Sequence, residues 1–147
     1  MIVENTKKKK NKYEVAVIGG GPAGMMAAGR AGELGARVLL LEKNKNLGAK
    51  LLITGNGRCN ITNTSWDSRG FADNFGKNGR FLLSALSRFS PDNLIDFFTE
   101  RGLKTKVESG GRVFPASDQS ADVLFALKKW LDEAGVEIRY SAKVSNI

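Results

Sequence analysis

Gly19, Gly21 and Gly24 stand at the spacing G-x-G-x-x-G within the stretch VAVIGGGPAGMMAAG, Val15 to Gly29. Between a strand and a helix, that spacing has a physical meaning. The first glycine permits a tight turn, the second lets the backbone approach a pyrophosphate, and the third lets the helix pack closely on the strand. Pro22 precedes the helix and Ala23 opens it, and the helix's free N–H groups and positive dipole end face the anion. Glu42 closes the next apolar run. A carboxylate there accepts hydrogen bonds from ribose hydroxyls and repels a 2′-phosphate, favouring FAD or NAD over NADP.

A second segment, GAKLLITGNGRCNITN, follows. It offers the backbone N–H groups of Gly55 and Gly57 and the side chains of Lys50, Thr54, Arg58 and Asn60. A flavin ring needs close backbone approach and donors near its carbonyls, whereas NAD does not need such a loop. The alternative is an ordinary long surface loop. Cys59 lies beside Arg58, which could lower a thiol pKa, but no base and no second cysteine accompany it. It reads as a packing or cofactor-lining thiol rather than a nucleophile. Arg112 could present a cation to substrate, and reads first as a solvated strand residue.

The absent residues exclude whole classes of chemistry. With no histidine and one cysteine, the chain cannot build a Ser-His-Asp triad, a Cys-His pair, an all-cysteine zinc site or an internal disulfide. Cofactor chemistry, carboxylates or binding remain. The NIT and NTS sequons at Asn60 and Asn63 have no use in a cytoplasmic chain.

The elements that position these residues follow from periodicity. Tyr13–Ile18 reads as a strand buried on both faces, and Ala23–Leu34 as a helix ended by Gly35. Gly29 and Gly32 permit close packing within that helix. Arg37–Glu42 is a second strand, completing a right-handed βαβ unit. Asn44–Ser65 reads as a long loop and Gly79–Phe89 as an amphipathic helix. A further helix has Ser90 as N-cap, Pro91 at its first position and Gly102 beyond its end. Leu103–Val107 and Arg112–Phe114 form a hairpin around ESGG. Ser117 or Asp118 caps another helix with the stripe Leu124, Leu127, Leu131 and Ala134, ended by Gly135. Val136–Tyr140 and Lys143–Ile147 read as strands, and Phe97, Phe98 and Trp130 as core.

In bulk, 147 residues with 41% hydrophobic content suit one globular unit. Lys and Arg number 23 against 15 Asp and Glu, a net charge of +8 that favours anionic partners. Part of the charge sits in KKKKNK, so residues 1–12 read as a basic, disordered tail, with contact to RNA or a membrane as the alternative. Neither a signal-peptide core nor an apolar run of roughly 18 to 20 residues is present, so the expected location is cytoplasmic, with no membrane partner. A strand at the very end of the chain suggests the front part of a longer protein.

The segments GGGPAGMMAAGRAGELGARVLLLEKN, GAKLLITGNGRCNITN and GRVFPASDQSADVLFAL together resemble the BaiN/YhiN-like flavoproteins, the NAD(P)/FAD-dependent or aminoacetone-oxidase-family oxidoreductases. The resemblance runs from Tyr13 to Ile147. It implies an α/β, glutathione-reductase-type Rossmann-like FAD-binding domain, here incomplete, since the family continues with a substrate domain and a late Gly-Asp stretch. FAD is the implied cofactor, with a small-molecule substrate and NAD(P)H as a possible electron donor. Gly19, Gly21, Pro22, Ala23 and Gly24 would hold the pyrophosphate, and Glu42 the ribose. Lys43 and Lys50 would lie near the adenosine and phosphates, and Val144 near adenine through its backbone. Thr54, Gly55, Gly57, Arg58, Cys59 and Asn60 would approach the flavin. The resemblance places no catalytic acid or base. The expected function is an FAD-dependent oxidoreductase, with a flavin-dependent RNA-modifying reductase or a non-catalytic nucleotide-binding fragment as alternatives.

Overall fold

The computed structural model describes residues 12–146. The tail assigned to residues 1–12 lies, apart from Lys12, outside them. Two three-stranded sheets organise the described chain, one parallel and one antiparallel.

The parallel sheet comes from the βαβ unit. β1 (Val15–Ile18) leads through α1 (Pro22–Glu33) to β2 (Val38–Leu41), and β6 (Glu137–Arg139) joins the far side of β2. The register sets Val15 against Val38, Ile18 against Leu41 and Leu40 against Ile138. β2 is buried through Val38, Leu39 and Leu40, as suits a central parallel strand. β1 departs from the expectation of burial on both faces. Among the described residues only β2 pairs with it, its side chains alternate between half-buried and exposed, and Ile18 is 51% exposed.

α1 begins at Pro22, where a missing N–H leaves no bond unmade. Gly35 beyond it has φ +86°, the left-handed geometry expected of a terminator. The helix packs on α6 (Ser120–Glu133), with Gly29 under the ring of Trp130 and Gly32 against Ala134. Trp130 meets Phe97 edge-on at 4.8 Å, and Phe97 and Phe98 of α5 (Pro91–Glu100) complete this side of the core. Ser90 caps α5 through a reciprocal pair of bonds with Asn93, as its position predicts.

Four further expectations need correction. The loop at Asn44–Ser65 contains α2 (Ala49–Ile53) and the short β3 (Thr62–Asn63), because Leu47 and Leu51 are buried and anchor the segment. Tertiary burial supplies what the glycine-rich composition concealed. In place of one amphipathic helix at Gly79–Phe89, the chain forms 3₁₀ turns over Gly76–Leu82 and a single turn, α4 (Leu83–Leu86) after α3 (Ser68–Asp73). The apolar stripe there is only partly covered: Leu82 and Leu86 are half-buried, and Phe81 is 88% exposed. The N-cap of α6 is Gln119 rather than Ser117 or Asp118. Asp118 is held at φ +57° by basic neighbours, while the Ser117 hydroxyl donates to Asp122 one turn on. Lys143–Asn146 form no strand. At Ser141 the backbone bends, and the N–H groups of Ser141 and Ala142 donate to the carbonyls of Asn44 and Glu42.

The second sheet runs β3-β5-β4, with β4 (Thr105–Glu108) and β5 (Arg112–Pro115) joined by a turn at Ser109–Gly111. Gly110 and Gly111 have φ +75° and +70°, so the glycines of ESGG do make the hairpin turn. β5 buries Val113, Phe114 and Pro115.

Candidate cofactor site

The glycine turn between β1 and α1 has the geometry its spacing predicts. Gly19 adopts φ +102° and donates its N–H to the Leu41 carbonyl at 2.8 Å. A Cβ on Gly24 would overlap the Gly19 carbonyl, so the helix starts as close to the strand as a backbone permits. Gly21 is the N-cap of α1, makes no side-chain capping bond, and has open space where a Cβ would stand. The first turn of α1 carries no acidic residue. Uncapped N–H groups at the end of a three-turn helix suit an anion.

Gly20, the unassigned position within the motif, turns out to be structural. A Cβ there would overlap Leu47 and crowd Glu42. Its carbonyl accepts the Gly48 N–H at 2.8 Å, and its N–H donates to Glu42 Oε2 at 2.7 Å. The other Glu42 oxygen accepts the Asn44 N–H at 2.8 Å. Glu42 is only 6% exposed, and the N–H bonds, that of Asn44 foremost, hold its carboxyl below the usual range despite burial. It is thus an anion that also struts the glycine turn against β2. Gly20 is the middle of the three consecutive glycines, and the absence of a side chain there makes room for this contact.

Around this strut lies a cleft of about 630 Å³. It brings together Gly19, Gly21, Glu42, Lys43, Lys50 and Val144, six residues that the sequence singles out. Asn44, Ala142 and Lys143 also line it, and sequence reasoning missed them because the bend after β6 brings the last two across the end of β2.

A second, apolar cavity of about 520 Å³ shares Lys50 with the cleft. Pro22, Ala23, Thr54, Cys59 and Asn60 reach it. Gly24, Gly55, Gly57 and Arg58 line neither space. Gly24 is the close-packing position, and Gly55 and Gly57 shape the loop at φ +56° and +82°. Arg58 turns away to Glu108 and Asp118, at 2.8 and 3.4 Å.

That orientation settles the environment of Cys59. The thiol is 6% exposed and burial pushes its pKa up, in keeping with a packing thiol. Asn60 has its amide within 3.0 Å of the Thr62 carbonyl and 3.3 Å of that of Val113. Arg112 is exposed, bonds the Ser109 carbonyl and lines neither space. No cluster of carboxylate or cysteine side chains suited to a metal occurs among the described residues.

Comparison with known proteins agrees with this geometry. The profile of the HI0933-like protein Rossmann domain matches residues 13–147. The 3-dehydro-bile acid delta(4,6)-reductase of Clostridium scindens is 38% identical over 88% of this chain and 31% of its own length. The ribosomal RNA dihydrouridine synthase of Escherichia coli is 30% identical over 92% of this chain and 33% of its own. The chain thus spans about a third of these relatives. Among solved structures, a flavocytochrome c3 fumarate reductase covers 88% of the chain at TM-score 0.64 and 23% identity, 26% of its own chain being matched. The 3-ketosteroid-delta4-(5alpha)-dehydrogenase of Rhodococcus jostii covers 93% at TM-score 0.61 and 15% identity, over 40% of its own chain. These two establish likeness of fold. The chain belongs to the HI0933-like family, of whose Rossmann domain it is an example.

Proposed function

We propose that this chain is the nucleotide-holding part of an FAD-dependent oxidoreductase. The observation that carries the reading is the cleft in which the uncapped α1 N-terminus, the bare Gly21 backbone and the buried Glu42 carboxylate converge. Gly19, Gly21, Pro22, Ala23 and Gly24 build the pyrophosphate end. Glu42 accepts from ribose hydroxyls with the lone pairs its backbone bonds leave free, and its charge opposes a 2′-phosphate. Lys43 and Lys50 balance phosphate charge, and Val144 stands where the adenine edge meets backbone. The loop Thr54–Asn60 supports the flavin end, with Cys59 as an apolar wall. FAD, once bound, supplies the hydride chemistry, and the protein orients it and keeps water from it.

A small-molecule substrate and NAD(P)H as electron donor fit this reading, as does a cytoplasmic setting. No described helix is long and apolar enough to cross a membrane. The span of about a third of the relatives supports taking residues 13–147 as one part of a larger FAD-binding protein. A second reading, a flavin-dependent reductase acting on RNA, is favoured by the ribosomal RNA dihydrouridine synthase relatives and by the net charge of +8.

Gly21 provides the test. Its φ of −79° is open to any residue and its Cβ position is free, so Gly21→Leu should fold normally, with stability within about 0.5 kcal/mol. The leucine fills the pyrophosphate approach. Flavin uptake, followed by quenching of FAD fluorescence on titration, should be lost. Undiminished uptake by the variant would place the pyrophosphate elsewhere.

A further inference from the structure

The Thr54–Asn60 loop reaches the apolar cavity through Thr54, Cys59 and Asn60, yet its one cation, Arg58, does not. We propose that Arg58 is a positioning residue, clamped with Glu108, Asp118 and Lys106 so that the loop is held against the β4–β5 hairpin in the shape the flavin end of FAD requires. The part of this that concerns FAD rests on the function proposed above.

Charges alternate around the clamp. Arg58 Nη1 lies 2.8 Å from Glu108 Oε1 and 3.4 Å from Asp118 Oδ1. Lys106 Nζ donates to Asp118 Oδ2 and stands 3.7 Å from Glu108 Oε1. A shared network of partly buried charges holds geometry better than an isolated surface pair. The guanidinium also sits 4.1 Å from the centroid of Phe114, a ring that is 2% exposed. That ring in turn lies 3.0 Å from the position a Cβ would take on Gly55. Arg58 Nε completes the circuit with a long contact, 3.4 Å, to the Gly55 carbonyl.

The loop needs such support. Gly55, Asn56, Gly57 and Cys59 all lie at positive φ, and for Asn56 and Cys59 this is a sparsely populated backbone region. It persists where surrounding contacts over-determine it. At the other end of the clamp, Asp118 has φ +57° as well. A phosphate ligand needs a guanidinium with donors to spare and a path to the cleft. Arg58 already faces two carboxylates and lies outside the cleft.

The single cysteine gives a readout that does not depend on flavin. In the chain without added FAD, the double variant Glu108→Gln with Asp118→Asn should raise the DTNB labelling rate of Cys59 on the order of tenfold, through local opening of the loop. Arg58→Ala should do the same. Glu33→Gln, which loosens the contact of α1 with Trp130 and Arg101 far from the loop, should leave the rate unchanged. With FAD added, the double variant should bind it more weakly than wild type, as Arg58→Ala does. Tighter FAD binding in the double variant, with unchanged labelling, would show a guanidinium freed to meet phosphate, and overturns the proposal. Labelling that merely tracks global unfolding in denaturant across all variants overturns it too. A wild-type chain that takes up no flavin while the labelling differences persist removes the cofactor reading and keeps the clamp.

Discussion

Glu42 does two things with one carboxylate. Its oxygens take the N–H groups of Gly20 and Asn44, at 2.7 and 2.8 Å, and its charge faces the cleft. Glu42→Gln keeps the shape and sets an NH₂ against one of those N–H donors. Hydrogen bonds to a charged acceptor contribute about 1.5 to 3 kcal/mol, so a loss of roughly that size is expected in a denaturant melt, together with weaker FAD uptake. The pH dependence has a defined sign. The folded-state pKa is depressed below the ordinary 4.5, so the stabilisation is complete above that value and fades as pH falls through the folded value. Wild type should lose its advantage over Glu42→Gln on acidification below about 4.5. An advantage that stays constant down to pH 3 would contradict the carboxylate's role. Sequence position alone proposes Glu42 as a ribose acceptor. Its second duty as a strut depends on the Gly20 backbone pointing at it, which no residue type announces.

At the scale of elements, the contact between α1 and α6 holds the helix that follows the glycine turn. Gly29 accepts the Trp130 ring at a distance no Cβ allows, and that ring is pinned from behind by Phe97 at 4.8 Å and by its Nε1–H bond to Glu33 at 2.6 Å. Alanine at position 29 gains about 1 kcal/mol of helix propensity but meets an immobile ring. Overpacking of this kind costs about 1 to 3 kcal/mol, so Gly29→Ala should be net destabilising in a thermal or urea melt. The penalty should shrink in a Trp130→Leu background. An equal penalty in both backgrounds would mean the ring is not the obstacle. The small-residue pattern in α1 made a close approach legible, whereas the identity of its partner was not. Helical periodicity likewise located α5 and α6 but misread Gly79–Phe89, since a stripe of apolar residues specifies a face and not what covers it.

For the whole described chain, α6 is the link. It packs on α1 behind the parallel sheet and also contacts β5 of the antiparallel one. Leu131 is fully buried in this interface core. Leu131→Ala should cost about 2 to 5 kcal/mol. If the two sheets fold as one unit, tryptophan fluorescence and backbone circular dichroism should report a single, coincident transition in wild type and variant. Separated transitions would show that the sheets unfold independently. Charge acts at this scale as well. An RNA partner would engage phosphates, so binding should fall steeply as salt rises, and a flat salt response removes the RNA reading.

The residue sequence by itself determined the βαβ unit, the glycine turn, the acid at the end of β2, the capped α5 and the β4–β5 hairpin. Each follows from local chemistry: β-branched runs, glycines where φ must be positive, Pro and Ser at a helix start. Tertiary structure alone decided which charges meet. Arg58 is adjacent in sequence to Gly57, yet its partners Glu108 and Asp118 come from a hairpin and a helix entry far along the chain. It also decided that Leu47 and Leu51 convert a glycine-rich stretch into α2, and that the chain after β6 bends across Glu42 instead of continuing as a strand. Side-chain ion pairs and burial depend on distances between segments, and those distances exist only after the sheets have been paired.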